Sequence, residues 1–312
     1  MTEINSPDDE DLLKFIESAK PKIYIVGAGG SGSNTLTRMS EMNIEGTTLI
    51  AANTDAHHLA MTKAHRKILL GKKTTRGLGA GSDPKIGEEA AIESKDEISH
   101  MLSDAQLVFV TCGLGGGTGT GAAPIVAHEA KEAGALTVGI VTLPFSSEGR
   151  LRMRNALEGL QKLKRETDTT IIIPNDKLLG IAPDLPLNMA FKVSDEVLAN
   201  ATKGIVEMVT KPGMVNLDFA DLRSVLKDSG YAVIGIGESN GVDTKDRAAI
   251  AVENTLKSPL LDVDLSTAKR ALVNIVGGQD LTLREAESIF QEVSSMINTD
   301  ALIKWGARID KD

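Results

Sequence analysis

The sequence predicts an α/β protein. It reads as a parallel, Rossmann-like sheet covered by helices on both faces, then a long central helix, then a smaller C-terminal α/β domain. Three observations predict it. From Lys22 onward, apolar runs rich in Val, Ile and Leu alternate with amphipathic helical patterns, the pattern of strands buried on both faces. Glycine-rich turns follow several of these runs directly. After Pro186 the alternation gives way to one long stretch with apolar residues at three- and four-residue spacing, which predicts a helix.

In chain order, the predicted strands are "KIYIVGAG", "TTLIAANTD", "KILLG", "LVFVTCG", "ALTVGIVTLPF" and "TTIIIPND". Between them "DPKIGEEAAIESKDEISHML" and "RLRMRNALEGLQKLKRET" read as helices. The long helix is "NMAFKVSDEVLANATKGIVEMVTK", and Pro212-Gly213 is a stop signal. Beyond it "YAVIGIGE", "RALVNIVGG" and "ALIKWGARI" read as strands, with helices from about Thr244 and from Leu283. The expected organisation is an acidic extension over 1–20, a nucleotide-type domain over 21–185, the connecting helix over 186–211 and a second domain over 212–312.

Composition narrows the function. At 312 residues, 41% hydrophobic and 25% charged, the chain is a globular protein with ample length for a core. Aromatic residues make up only 3% and the net charge is −9, which argues against a nucleic-acid module built on stacking and phosphate contacts. A nucleotide is still accommodated, because backbone N–H groups at helix starts hold phosphate without basic side chains. The single cysteine, Cys112, cannot form an intrachain disulfide and sits in an apolar run. It reads as core filler in a reducing cytoplasm. The five histidines fall in no metal-binding spacing, and no apolar run reaches membrane-spanning length.

The glycine loops carry the chemistry. "GAGGSGSNT" places Gly27, Gly29 and Gly32 in GxGxxG spacing after a strand. With the "NTD" of Asn53–Asp55 further on, that spacing also suits a dinucleotide site. In "TCGLGGGTGTGAAPIV", six of the nine residues from Gly113 to Gly121 are glycine. Each costs about 0.5–1 kcal/mol relative to alanine in a regular element, so the loop needs a purpose. It lacks the lysine of a P-loop, but it opens a helix, and Thr118 and Thr120 could add hydroxyl donors. A third loop, "RGLGAGSDP", adds three more glycines before another helix start. Several such turns at parallel strand ends suit a polyphosphate better than one pyrophosphate.

Two further constellations have ordinary and functional readings. Phe191 and Asp195 are four apart on the long helix and share a face. A carboxylate there could accept the paired donors of a guanine edge; the plainer reading is a core aromatic and a solvated charge. In "GMVNLDFADLRSVL", Asp218 and Asp221 are three apart at a helix start. Capping accounts well for one aspartate and less well for two.

Taken together, "GLGGGTGTG", "PFSSEGRLR", "IPND" and "NLDFAD" resemble the motifs of the tubulin/FtsZ superfamily, and the likeness runs from Lys22 to Asp310. Thr120, where tubulins usually carry serine, and the chain's length fit its FtsZ branch of prokaryotic cell-division GTPases, with an archaeal member expected. The resemblance implies GTP and GDP as ligands, with Mg²⁺. It implies phosphate contacts from Gly29, Gly30, Ser31 and Asn34, from Asn53 and Asp55, and from Gly115, Gly116, Gly117, Thr118, Gly119, Thr120 and Gly121. Gly79, Ala80 and Gly81 would reach the γ-phosphate.

By the same resemblance Glu148 would contact the ribose and Arg152 the nucleotide. Asn175 would read the guanine, Phe191 would stack on it and Asp195 would accept its N–H groups. Asn216, Asp218 and Asp221 resemble the loop that meets the nucleotide of the next subunit and polarises the attacking water. The implied protein is a head-to-tail homopolymer in the cytoplasm, at the mid-cell division site beneath the membrane. Family members usually continue past "WGARIDKD" into a further strand and a tail that binds membrane-tethering and division proteins; neither is among these 312 residues. Two rival readings are an NAD-dependent oxidoreductase built on Gly27, Gly29 and Gly32, and a relative that assembles without hydrolysing GTP.

Overall fold

The computed structural model describes residues 21–179, 186–239, 246–261 and 263–310. The expected acidic extension, and Thr244 as a helix start, lie outside them.

Seven strands form one parallel sheet in the order β3-β2-β1-β4-β5-β6-β7. They are β1 (Ile23–Ala28), β2 (Thr47–Asn53), β3 (Arg66–Leu69), β4 (Leu107–Gly113), β5 (Leu136–Leu143), β6 (Thr169–Pro174) and β7 (Gly230–Ala232). The alternation of side chains across each strand splits the core in two. Ile23, Ile25, Leu107 and Phe109 face one way, packing with Leu36 and Met39 of α1 (Gly29–Glu41) and with Leu198 and Val206 of the long helix. Tyr24, Val26, Val108, Val110 and Cys112 face the other way. There they meet Ala90 and Ala91 of α3 (Pro84–Glu93), Ile98 of α4 (Lys95–Leu102), Val126 of α5 (Thr118–Glu132) and Leu160 of α6 (Arg150–Glu166). A short helix, α2 (Ala56–Met61), follows β2.

Burial explains Cys112. Its side chain is fully enclosed, and desolvation pushes the thiol up to about 12, which leaves it inert at neutral pH.

Three expectations are corrected. The stretch 83–102 is two helices, because Ser94 leaves the helical backbone at φ −99°, ψ 13° and its hydroxyl accepts the N–H of Gly71. "YAVIGIGE" supplies only a short strand, and that strand lies on the edge of the large sheet, Thr169 pairing with Gly230. The strand over "ALTVGIVTLPF" stops at Leu143, before Pro144.

After the one-turn α7 (Asn175–Leu178), the long helix is α8 (Leu187–Thr210), ending just before Pro212-Gly213 as predicted. Beyond it come α9 (Phe219–Leu226), α10 (Arg247–Leu256), β8 (Arg270–Gly277), α11 (Leu283–Met296) and β9 (Leu302–Ile309). Strands β8 and β9 pair in parallel as a separate sheet, with Ile275, Ala286 and Ala307 as a small core. Arg308 of β9 forms a buried ion pair with Glu207 of α8, which ties this unit to the long helix.

Candidate nucleotide site

The strand order reverses direction between β1 and β4, which pair side by side with Gly27 opposite Thr111. The helices that follow these neighbours, α1 and α5, therefore begin at the same end of the sheet. This is the crevice where open parallel sheets bind ligands. A cleft of about 280 Å³ opens there. It is floored by Ala28, Gly30 and Ser31 from the first loop and by Gly116, Gly117, Thr118 and Gly119 from the second.

The glycines make this close approach possible. Gly29 has φ +71°, and a Cβ on it would sit 2.7 Å from the backbone N of Gly119, so the two loops touch. Gly115 has φ +102°, where a Cβ would meet Arg152. A Cβ on Gly116, in contrast, would meet nothing within 4 Å, so packing does not require glycine there. No basic side chain is needed for the loops to attract an anion: both helix starts direct N–H groups and positive dipole ends toward the cleft.

The two threonines behave differently from each other. Thr118 lines the cleft, with its hydroxyl 2.6 Å from that of Thr54. Thr120, expected as a ligand donor, points inward and is buried, and its hydroxyl accepts the Gly115 N–H at 2.8 Å. It holds the loop's shape. Gly121 is likewise structural, packed on the backbone of Pro84 and Glu88.

The third loop supports the second from beneath. A Cβ on Gly117 would meet Ala80 Cβ at 2.9 Å and Asp83 N at 3.0 Å. Gly79 donates its N–H to the Thr54 carbonyl, and Gly79, Ala80 and Gly81 stand outside the cleft lining. Asn53 is buried, with its amide 3.5 Å from Ser33 Oγ. Asp55 caps α2 by accepting the His58 N–H, and neither of the two lines the cleft.

The far end of the cleft is lined by Phe191, Glu148, Arg152, Asn175 and Asp195. Phe191 of α8 stands edge-on to Phe145 at 5.5 Å and keeps 37% of its surface exposed, so one aromatic face remains available for stacking. Glu148 accepts the Phe145 N–H at 2.8 Å and pairs with Arg152 at 3.0 Å; both acid and base line the cleft.

Asp195 is 9% exposed. Desolvation raises its carboxyl to about 6, against the opposing hydrogen bonds from Ser31, Thr35 and Asn34. A buried carboxylate on the cleft wall is costly unless a ligand supplies donors. Asn175 is buried, and its Oδ1 accepts from Ser194 at 2.8 Å.

Sequence reasoning did not single out Ala28, Gly113, Leu114, Thr142, Pro144 and Ser194, all of which line the cleft. Ser194 had a signal: it follows Phe191 by three, so it shares that residue's helix face. Asn216, Asp218 and Asp221 are not brought to the cleft. Asn216 accepts the Gly213 N–H at 2.6 Å. Asp218 caps α9 through the Asp221 N–H at 2.7 Å. Asp221 pairs with Lys304 of β9, and that hydrogen bond holds its carboxyl below the usual carboxylate range.

Comparison with known proteins agrees with this geometry. The model of the Tubulin/FtsZ family GTPase domain matches residues 22–183, and that of the FtsZ family C-terminal domain matches residues 230–312. The chain is 55% identical to cell division protein FtsZ 1 of Methanocaldococcus jannaschii over 98% of its length and 84% of the relative's. It is 57% identical to the Thermococcus kodakarensis protein of that name, covering 97% of this chain and 80% of the relative. The M. jannaschii structure titled as an empty FtsZ dimer superposes with a TM-score of 0.93 at 55% identity, covering 98% of this chain and 89% of that one. The protofilament structure of Haloferax volcanii CetZ2, at 22% identity and a TM-score of 0.78, shares the fold. The chain belongs to the FtsZ family of tubulin-like GTPases.

Proposed function

We propose that the cleft binds GTP and that its hydrolysis is completed by a neighbouring subunit in a head-to-tail filament. As a member of its family the chain is a guanine-nucleotide-binding GTPase that associates with itself. The finer assignments are ours. The loops at Gly29–Ser31 and Gly116–Gly119 hold phosphate, Glu148 and Arg152 the sugar side, and Asn175, Phe191 and Asp195 the base. Asn216, Asp218 and Asp221 of the next subunit position the attacking water. The second domain, which carries these three, is then the GTPase-activating part.

The observation that carries this reading is the separation of the two halves. The cleft proposed for the nucleotide lies on one set of elements and contains no residue of the loop at Asn216–Asp221. That loop holds its carboxylates exposed or half-buried at the start of α9. Unlike faces that meet without closure make a filament. Orientation of water together with stabilisation of phosphoryl charge is the chemistry such a site can supply.

Among the described residues no three His, Cys, Asp or Glu side chains cluster to hold a metal. Mg²⁺ would arrive on the nucleotide's phosphates and keep several of its waters, as this ion ordinarily does at nucleotide sites. When bound, it neutralises charge on phosphate oxygens. Among the described residues no helix is long and apolar enough to cross a membrane. We place the filament in the cytoplasm at the division site, tethered there by membrane-binding division proteins.

Phosphate release measured against protein concentration tests the assembly-dependent site. Specific activity should be near zero at high dilution and rise steeply above a threshold. Constant specific activity down to the monomer would contradict it.

A further inference from the structure

We propose that Ser194 is a positioning residue for nucleotide recognition: its hydroxyl locks the Asn175 side-chain amide so that Nδ2 is presented to the purine. This rests on the reading of the cleft as a guanine nucleotide site.

Asn175 begins α7 directly after β6, and its side chain lines the cleft although the residue is only 4% exposed. Ser194 lies on α8, 3% exposed, and donates to Asn175 Oδ1 at 2.8 Å. That bond crosses between two separate elements. Other hydroxyls on this helix, those of Thr202 and Thr210, turn back to the carbonyl four residues earlier, whereas Ser194 donates to Asn175 instead. Nδ2 of Asn175 has no protein partner among the described residues. An amide has two faces of opposite polarity, and a half-turn about its last bond exchanges donor for acceptor. With Oδ1 held by Ser194, the group left for the cleft is the donor. Asp195, one residue on, is an acceptor. The wall therefore offers one donor and one acceptor in fixed places, suited to a purine edge that carries both. Without the hydroxyl, Oδ1 loses its anchor, and an amide free to turn puts an acceptor where a donor is needed.

The test is a double-mutant cycle on the full chain at concentrations below assembly, with Kd for GDP and for pyrophosphate measured by displacement of a fluorescent guanine nucleotide. Ser194→Ala removes one oxygen and leaves a good helix former, and a thermal melt checks each variant. GDP affinity should fall about five- to tenfold, as for one hydrogen bond, while pyrophosphate affinity stays at the wild-type value. Ser194→Thr, which keeps the hydroxyl, should retain most of the affinity. In an Asn175→Ala background, Ser194→Ala should cause no further loss. The inference is overturned if Ser194→Ala binds GDP like wild type, or if it weakens GDP equally with and without Asn175, which would make Ser194 a direct or merely structural contributor. Should wild-type protein bind ADP as tightly as GDP, the guanine reading of the cleft itself fails, an outcome separate from the other two.

Discussion

Lys304 Nζ lies 2.7 Å from Asp221 Oδ1, joining the middle of β9 to the first turn of α9. The other carboxylate oxygen of Asp221 accepts the Asp218 N–H at 3.4 Å. The side chain proposed to act on a neighbour's nucleotide is thus held ionised and oriented within its own subunit before assembly. Lys304→Met should let the Asp221 carboxyl rise toward its ordinary range, since the Lys304 hydrogen bond is the largest cause of its depression. The acid limb of the turnover–pH profile then moves to higher pH, while GDP affinity of the free subunit stays unchanged. Because the pair is partly exposed, stability should change by no more than about 1 kcal/mol.

The carboxyl of Asp195 is shifted in the opposite direction and predicts a second pH dependence. Its carboxyl is raised to about 6 by burial, so it is a poorer acceptor below that pH. Guanine nucleotide affinity should fall as pH drops through about 6, and Asp195→Asn should remove that dependence along with most of the affinity. The stability sign is reversed. A carboxyl that binds its proton more tightly when folded costs stability above about 6, and that cost fades as pH falls toward the unfolded value. Ligand-free Asp195→Asn should therefore melt higher than wild type at pH 7.5. An Asn variant that melts lower would show that the hydrogen bonds from Ser31, Thr35 and Asn34 outweigh the cost of burying the charge.

The glycines divide by what surrounds them. Gly116→Ala should leave the melting temperature unchanged and weaken nucleotide binding at least about tenfold, because its Cβ has free space in the cleft wall. Gly32→Ala should do the reverse first. Its Cβ would lie 2.6 Å from the Thr111 carbonyl oxygen and 2.7 Å from the Gly27 carbonyl carbon, backbone on two sides that cannot turn away. Overpacking of this sort costs about 1–3 kcal/mol or more, read by urea denaturation.

Glu207 and Arg308 hold the second sheet to the long helix from inside. Their side chains are 1% and 10% exposed, and Glu207 also pairs with Lys211 Nζ at 2.8 Å, so losing Arg308 leaves a buried carboxylate with one cation in place of two. Arg308→Met should destabilise by about 1–3 kcal/mol, less than a fully stranded charge would cost, whereas Glu207→Leu combined with Arg308→Met should recover much of the loss. Urea unfolding of the three variants gives the comparison.

Much of the parallel sheet was legible because its signal is local. Strands buried on both faces must be continuous apolar runs, and "IYIVGA" or "LVFVTCG" cannot be much else. The glycine loops were legible for a related reason, since glycine at that density is costly unless backbone must approach something. What escaped depends on distant partners. The break at Ser94 needs Gly71, the edge position of Gly230–Ala232 needs β6, and the inward turn of Thr120 needs Gly115 to be left-handed. Lys304 offers no sequence cue at all, because only the packing of β9 beside α9 brings it to Asp221. The roles given to Glu148, Arg152 and Asn175 came through family resemblance; residue chemistry alone would have left them ordinary.

The most direct test of the shared active site is Asp221→Ala, assayed for both binding and turnover. As a free subunit it should bind GTP with wild-type affinity, since Asp221 is outside the cleft, and above the assembly threshold its phosphate release should fall at least about a hundredfold. Weakened GTP binding together with a wild-type rate of hydrolysis in the polymer would contradict the account.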